Sequence, residues 1–443
     1  MQIQLSDHFT YKKLMRFTMP SIAMMIFTSI YGVVDGFFVS NFVGKVEFTA
    51  VNFIMPFLMV LSTVGFMLGT GGSALIGKTL GEGDHDKANR QFSLIVYVAI
   101  VLSVAISVIG IIVLRPVASL LGAEGELLEN CVVYGRILLV GLPFFTLQVE
   151  FQTLFVTAEK PQLGLYMTLI TGVTNMILDA LIVGIIPLGL TGAALATVIS
   201  QAIGGVVPLI YFARQNSSLL RLGKTKYDGQ ALLRTCTNGS SELMSTVSMS
   251  LVGMLYNIQL LKYAGEDGVA AYGVLMYVNM VFLAIFFGYT MGMAPVISFN
   301  YGANNTDELK SLLKKSLVIV GISSVLMVIS SILLAKPLSL LFASSHQGLL
   351  DMTVRGFYIY SFCFLFAGLA IFGSSFFTAL NNGLVSAVIS FLRTLVFQIA
   401  AVMLLPLIWG LDGIWVSVVV AEAAAAILSV SFIFARRKKY HYM

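Results

Sequence analysis

Phe92-Ser-Leu-Ile-Val-Tyr-Val-Ala-Ile-Val-Leu-Ser-Val-Ala-Ile-Ser-Val-Ile-Gly-Ile-Ile-Val-Leu114 runs for 23 residues without a charge and stops at Arg115-Pro116. At about 1.5 Å per residue, a helix of that length crosses a hydrocarbon core of about 30 Å. Eleven more apolar blocks of similar length flank it. The full set spans roughly 17–39, 49–76, 92–114, 130–157, 162–185, 190–213, 236–262, 268–294, 316–341, 352–378, 384–406 and 410–435. Of the 443 residues, 58% are hydrophobic and 11% charged, with a mean hydropathy of +0.92. Soluble proteins carry about 25% charged residues, so this is an all-α integral membrane protein with twelve transmembrane helices. Only short loops remain, which leaves no room for a separate soluble domain. The first 16 residues are polar and no small-residue cleavage site follows the first block, so that block is expected to be a permanent helix and not a removable signal.

Orientation follows from Lys and Arg. Nineteen of the 26 fall on segments that share a side with the N terminus, against four on the opposite loops. That bias places both termini in the cytoplasm of a multi-pass protein of the plasma (inner) membrane. The net charge of +5 then reflects topology and implies no nucleic acid partner. Cys131, Cys236 and Cys363, in or beside apolar blocks, supply no disulfide framework. His8, His85, His346 and His441 lie in loops or tails, which argues against haem or copper within the membrane.

The chain is a doubled unit. Gly44, Gly81, Pro116, Gly135, Ala158 and Gly192 stand 221 residues before Gly265, Gly302, Pro337, Gly356, Ala379 and Gly413. Strings agree as well: the helix-ending Arg115-Pro116 matches Lys336-Pro337, and Gly189-Leu-Thr-Gly192 matches Gly410-Leu-Asp-Gly413. One offset held this far implies two six-helix lobes without net insertion, 1–213 and 236–443, joined by a basic cytoplasmic connector at 214–235. Six is even, so the lobes are parallel repeats, two bundles around a central cavity about which they rock.

Five carboxylates fall within the blocks: Asp35, Glu150, Asp179, Glu242 and Glu422. Each costs about 2.5 to 3.5 kcal/mol at a helix centre, so each needs a reason. Asp35 in helix 1 and Asp179 in helix 5 lie in the outer half, with Thr197 of helix 6 at a similar level and Asn175 one turn before Asp179. Two acids, an amide and a hydroxyl could coordinate Na⁺ through hard oxygens or share a proton. Adding 221 gives Tyr256, Val396, Ala400 and Val418, so the second lobe keeps none of the four. Glu150 and Glu242 belong to an inner layer. Glu150 follows Gln148 among Phe144, Phe145, Phe151 and Phe155, a setting for an organic cation through charge pairing and cation–π contact. Glu422 is expected to pair with Arg393 as a structural ion pair. Ion and substrate are therefore expected on separate layers that communicate through helix 1, where Pro20 or Gly32 offers a place to bend.

Gly72-Ser-Ala-Leu-Ile-Gly77-Lys78-Thr79 fits the phosphate-loop pattern, but that chemistry needs a strand, a loop and then a helix. Here the pattern occupies the inner end of a membrane helix, so no nucleotide is expected. No nucleophile, metal or redox constellation points to an enzyme.

Twelve helices, six-plus-six repeats, Asp35 in helix 1 and Asn175-x-x-x-Asp179 in helix 5 resemble the multidrug and toxic compound extrusion (MATE) transporters. Pro20, Gly81-Glu-Gly83, Pro143 and Glu159-Lys-Pro161 carry the same resemblance. It implies that Asp35, Asn175, Asp179 and Thr197 bind H⁺ or Na⁺, the coupling ion, with no other cofactor. Glu242 matches a helix 7 acid used by some members, whereas their helix 10 acid has no counterpart in Ala370 to Ala379. The implied function is secondary antiport, by a monomer in membrane lipid, that exports amphipathic organic cations bound by Gln148, Glu150, Glu242, Phe144 and Phe151. The alternative in the wider superfamily, a flippase for lipid-linked saccharide or lipid, calls for a basic cavity. Five buried acids face only Arg136 and Arg393 well inside the helices. A channel, the third class, is disfavoured by the unlike lobes.

Overall fold

The computed structural model describes residues 3–186, 188–343 and 347–443; His346 lies outside them. Among the described residues the secondary structure is helical throughout. The first lobe comprises α1 (Tyr11–Phe42), α2 (Lys45–Gly81), α3 (His85–Leu120), α4 (Gly125–Thr157), α5 (Pro161–Ile185) and α6 (Gly189–Ala213). In the second, α7 (229–264) and α8 (266–302) form one helical stretch broken at Gly265, whose φ of 63° no helix accommodates. Then come α9 (Thr306–Ala343), α10 (Gln347–Tyr360 and Cys363–Ala379, bent by 49°), α11 (Gly383–Leu404) and α12 (Pro406–Tyr440). Each expected span but one lies within its element, the span 384–406 overrunning the end of α11 at Leu404 by two residues, and the helices continue past the apolar blocks at most ends. Hydropathy marks where a helix meets hydrocarbon; caps decide where it stops. Thr10 accepts from the Lys13 amide, Asp84 from that of Lys87 and Asp228 from those of Gln230 and Ala231, each starting a helix in polar sequence.

Three expectations need correction. Pro116 and Pro337 do not end their helices: α3 continues to Leu120 and α9 to Ala343. A proline costs a helix the bond its own nitrogen would make, and one more turn beyond it keeps the remaining ladder. Next, α7 begins at Gly229, so the connector is only 214–228, and it is no free loop. Leu220 and Leu222 are buried, and the amides of Arg221 and Gly223 donate to Asn89 and Ser93 of α3. Finally, the repeat slips by one residue in its middle. Gly83 and Asn304, like Gly189 and Gly410, share positive φ at the offset of 221, but the left-handed Glu159 and Asn381 stand 222 apart.

The lobes meet tightly at the end that carries both termini. There α2 lies against α7 and α8 with glycine at each crossing. A Cβ on Gly239 would come 1.9 Å from the Met67 carbonyl oxygen, one on Gly302 2.0 Å from that of Lys78, and one on Gly81 1.9 Å from that of Phe299. Residues 18–22 of α1 pack on Gly288 and Gly292 of α8, where an added Cβ would come 2.4 Å from the Ile22 Cα and 3.0 Å from the Thr18 Cα. Nearer the opposite end, a Cβ on Gly36, Gly253 or Gly273 would meet nothing within 4 Å. The bundles are thus joined at one end and diverge towards the other.

Two polar devices reinforce the joined end. Asn381, in the turn before α11, donates to the Ala74 carbonyl of α2 at 3.0 Å and accepts from Asn238 of α7 at 2.8 Å. The segment before α1 forms a strap. Its Leu5 amide donates to Glu159 of the first lobe, while the Phe9 amide and His8 bond Glu308 of the second at 2.9 and 2.6 Å.

Candidate ion and substrate site

The buried face of α5 carries Thr168, Thr171, Asn175 and Asp179, spaced to lie on one stripe, and each is at most 3% exposed. Asp179 opens a π-helical segment, Asp179–Ile185. Such a turn holds one residue more than the α-helix and shifts the carboxylate relative to the helix below it. Asp35 reaches it from α1, and the two carboxyls are close enough to interact. Even so, neither oxygen of Asp179 nor Oδ1 of Asp35 has a hydrogen-bond partner. Buried carboxylate oxygens left without donors favour a proton or a cation in their midst. Tyr134 of α4 lies within electrostatic reach of both acids, and Tyr31, one turn before Asp35, interacts with Gln148. Thr197 is half-buried and its hydroxyl donates to the Ala193 carbonyl at 3.1 Å, leaving its lone pairs available. Beside it, α6 packs on the π segment, Gly192 against Ile182.

The inner layer is less unified than its sequence suggests. Helix α2 separates Glu150 from Glu242, because Gly69 packs on the Glu150 backbone and, from another face, the Met67 carbonyl packs on Gly239. Glu150 is 0% exposed with both oxygens unpartnered. Glu242 is half-buried on α7, one turn beyond the last tight contact between the lobes, at the floor where they diverge. Gln148 faces Gly204 and Thr171 inside the first lobe, where it lines a gap of about 10 Å³, room for a single water. Phe151 is 1% exposed and stacked on Phe212 at 5.5 Å, within a cluster with Phe92 and Phe155. It therefore packs the lobe, whereas Phe144 stays half-buried.

In the second lobe the corresponding level is already neutral. Arg393, itself on a π-helical segment (Leu392–Val396), donates through Nε to both oxygens of Glu422, at 2.8 and 3.1 Å. Tyr256, which stands where the first lobe has Asp35, stacks on Tyr272 and donates to Gln398 at 2.8 Å. The phosphate-loop pattern lies inside the unbroken α2, whose amides are spent on helix bonds, and Lys78 sits beside Glu82 and over Tyr301. Among the described residues no cluster of His, Cys, Asp and Glu is arranged for a metal.

Tyr31, Tyr134 and the threonine stripe escaped the sequence reasoning. The stripe could have been found, since 168, 171, 175 and 179 repeat at helical spacing. The tyrosines carried no signal without knowledge of which helices touch.

Sequence comparison matches the chain twice to the MatE family, over residues 20–181 and 243–404. The chain is 27% identical over 438 residues to the multidrug export protein MepA of Staphylococcus haemolyticus (strain JCSC1435), covering 97% of this chain and 94% of that one. Among solved structures, a MATE in complex with MaL6 superposes with a TM-score of 0.93 at 21% identity, over 98% of both chains. The outward-facing conformation of a multidrug resistance MATE family transporter of the MOP superfamily gives 0.92 at 20%, also over 98% of both.

Proposed function

The chain belongs to the MatE family, and from that premise we propose that it exports amphipathic organic cations across the plasma membrane by antiport with H⁺ or Na⁺, both termini being cytoplasmic. The observation that carries this is the pair of half-buried Asp35 and fully buried Asp179, three of whose four carboxylate oxygens are buried without a hydrogen-bond partner. Such a pair holds one cation far better than none, and in this reading Asn175, one turn before Asp179, and Thr197 of α6 supply it with neutral oxygens. Glu242, half-buried where the lobes diverge, is the carboxylate placed to meet a cationic substrate, with Phe144 a candidate aromatic neighbour. Glu150, enclosed behind α2, and Phe151, stacked in the core, would meet substrate only after α2 and α4 rearrange.

Coupling follows from the course of α1. It carries Asp35 near one end and Pro20 within the stretch that packs on Gly288 and Gly292. Neutralising the acids removes repulsion between α1 and α5, and a bend at Pro20 alters the contact between the lobes. Ion binding and substrate binding then bias the same two-state element, so each changes the other's affinity by the same factor.

The test uses proteoliposomes loaded with a cationic dye and driven by a pH gradient or a Na⁺ gradient in turn. Wild type should export under one of them, which identifies the ion. Asp35→Asn and Asp179→Asn should retain less than about a tenth of that rate while remaining folded, since removing a buried charge eases insertion. Wild-type export by either variant would refute the coupling role.

A further inference from the structure

A groove of about 410 Å³ opens between the first turns of α1 and α5, on the side that bears the termini. Arg16 and Gln162 stand at its mouth, and Met19, Pro20, Ala23 and Leu165 form its apolar wall, with Tyr166 beside them. From Met15 to Ala23 the wall extends about 12 Å along the helix, from headgroup level into one leaflet. Met19 and Tyr166 are 51% and 56% exposed, so the groove opens sideways to the bilayer. Arg16 is exposed and has no hydrogen bond or ion pair among the described residues, whereas neighbouring Lys13 is paired with Asp7 at 2.8 Å. Among the described residues no carboxylate lines the groove.

A free guanidinium with an amide and a phenol beside it, above an apolar trough one acyl chain deep, is complementary to one kind of molecule in that leaflet. We infer that this groove is a binding site for a single anionic phospholipid, its phosphate on Arg16 and one acyl chain along Met19, Ala23 and Leu165. The inference rests on the fold and the placement of the termini on the anionic leaflet, not on the transport reaction. Basic pockets between membrane helices on that side recognise lipid headgroups by the same complementarity. Because Pro20 is part of the wall, the lipid would lie against the point where α1 can bend.

Native mass spectrometry of the full chain, exchanged into equal amounts of phosphatidylglycerol and phosphatidylcholine, tests it without any transport measurement. Wild type should retain one phosphatidylglycerol in preference to phosphatidylcholine. Arg16→Gln, at an exposed position, should lower phosphatidylglycerol occupancy roughly fivefold and leave phosphatidylcholine unchanged, the effect of one Arg facing an anionic headgroup. Ala23→Phe, which fills the trough but keeps the charge, should lower it as well. Equal retention of the two lipids, indifference to Arg16→Gln or to Ala23→Phe, or displacement of the lipid by an equimolar cationic dye would each overturn the assignment.

Discussion

Two charge arrangements inside the helices of this protein have opposite chemistry, and single residues account for the difference. Asp35 and Asp179 leave three of their four carboxylate oxygens buried without a partner, whereas Glu422 receives both of its close contacts from Nε of Arg393. The guanidinium acts as a tethered cation, so the second lobe has no vacancy for a mobile one. A pair of this kind adds little net stability over an apolar pair, but removing one member strands the other in a low-dielectric interior at about 3 to 5 kcal/mol. Arg393→Met should therefore lower the thermal unfolding midpoint sharply, while the double variant Arg393→Met with Glu422→Leu recovers most of the loss. Circular dichroism melts of the detergent-solubilised protein would check this, and additive losses would mean that the two residues are not coupled. The pairing was legible in the sequence because only two arginines lie well inside helices. The division of Glu150 from Glu242 by α2 was not, since depth along a helix says nothing about which neighbour it packs on.

At the level of elements, periodicity and composition located all twelve helices, because a 20-residue apolar run has few other stable fates in a bilayer. What composition missed is backbone detail: the passage of α3 and α9 through proline, the π-helical turns at Asp179 and Arg393, and the one-residue slip between Glu159 and Asn381. These depend on hydrogen bonds whose loss or shift no side chain announces. The glycine crossings depend on tertiary contact in the same way. Gly239 permits α7 to lie on the Met67 carbonyl of α2, and an added methyl would stand 1.9 Å from that oxygen. Because the obstacle is backbone, the helices must part. Gly239→Ala should push the joined end open, seen as a longer distance between spin labels at Asp86 and Lys310, exposed residues on opposite lobes at that end. An unchanged distance distribution would mean that the contact does not hold the lobes together.

For the molecule as a whole, the proposed alternating access requires the joined end to be stable enough to exclude leak and weak enough to open. The glycine crossings supply close packing, and Asn381 adds a polar latch that crosses from the second lobe to the Ala74 carbonyl of the first. Its φ of 56° is a left-handed conformation that Asn and Gly tolerate, so Asn381→Gly removes the side chain without straining the turn. One hydrogen bond between neutral groups is worth about 1 kcal/mol net, which corresponds to a roughly fivefold change in the ratio of joined to open forms. The bond between Asn381 and Asn238 lies within one lobe and should shift that ratio much less. Ser298, 0% exposed and beside Gly77 of α2, reports on the seam. With Cys131, Cys236 and Cys363 replaced by serine, a Ser298→Cys probe should react with a maleimide about fivefold faster when Asn381→Gly is present. Asn238→Ala should leave the rate nearly unchanged, because the bond to Ala74 survives. If Asn238→Ala accelerates labelling as much as Asn381→Gly, the turn before α11 acts by its position within the second lobe and the bond across the seam contributes nothing to closure.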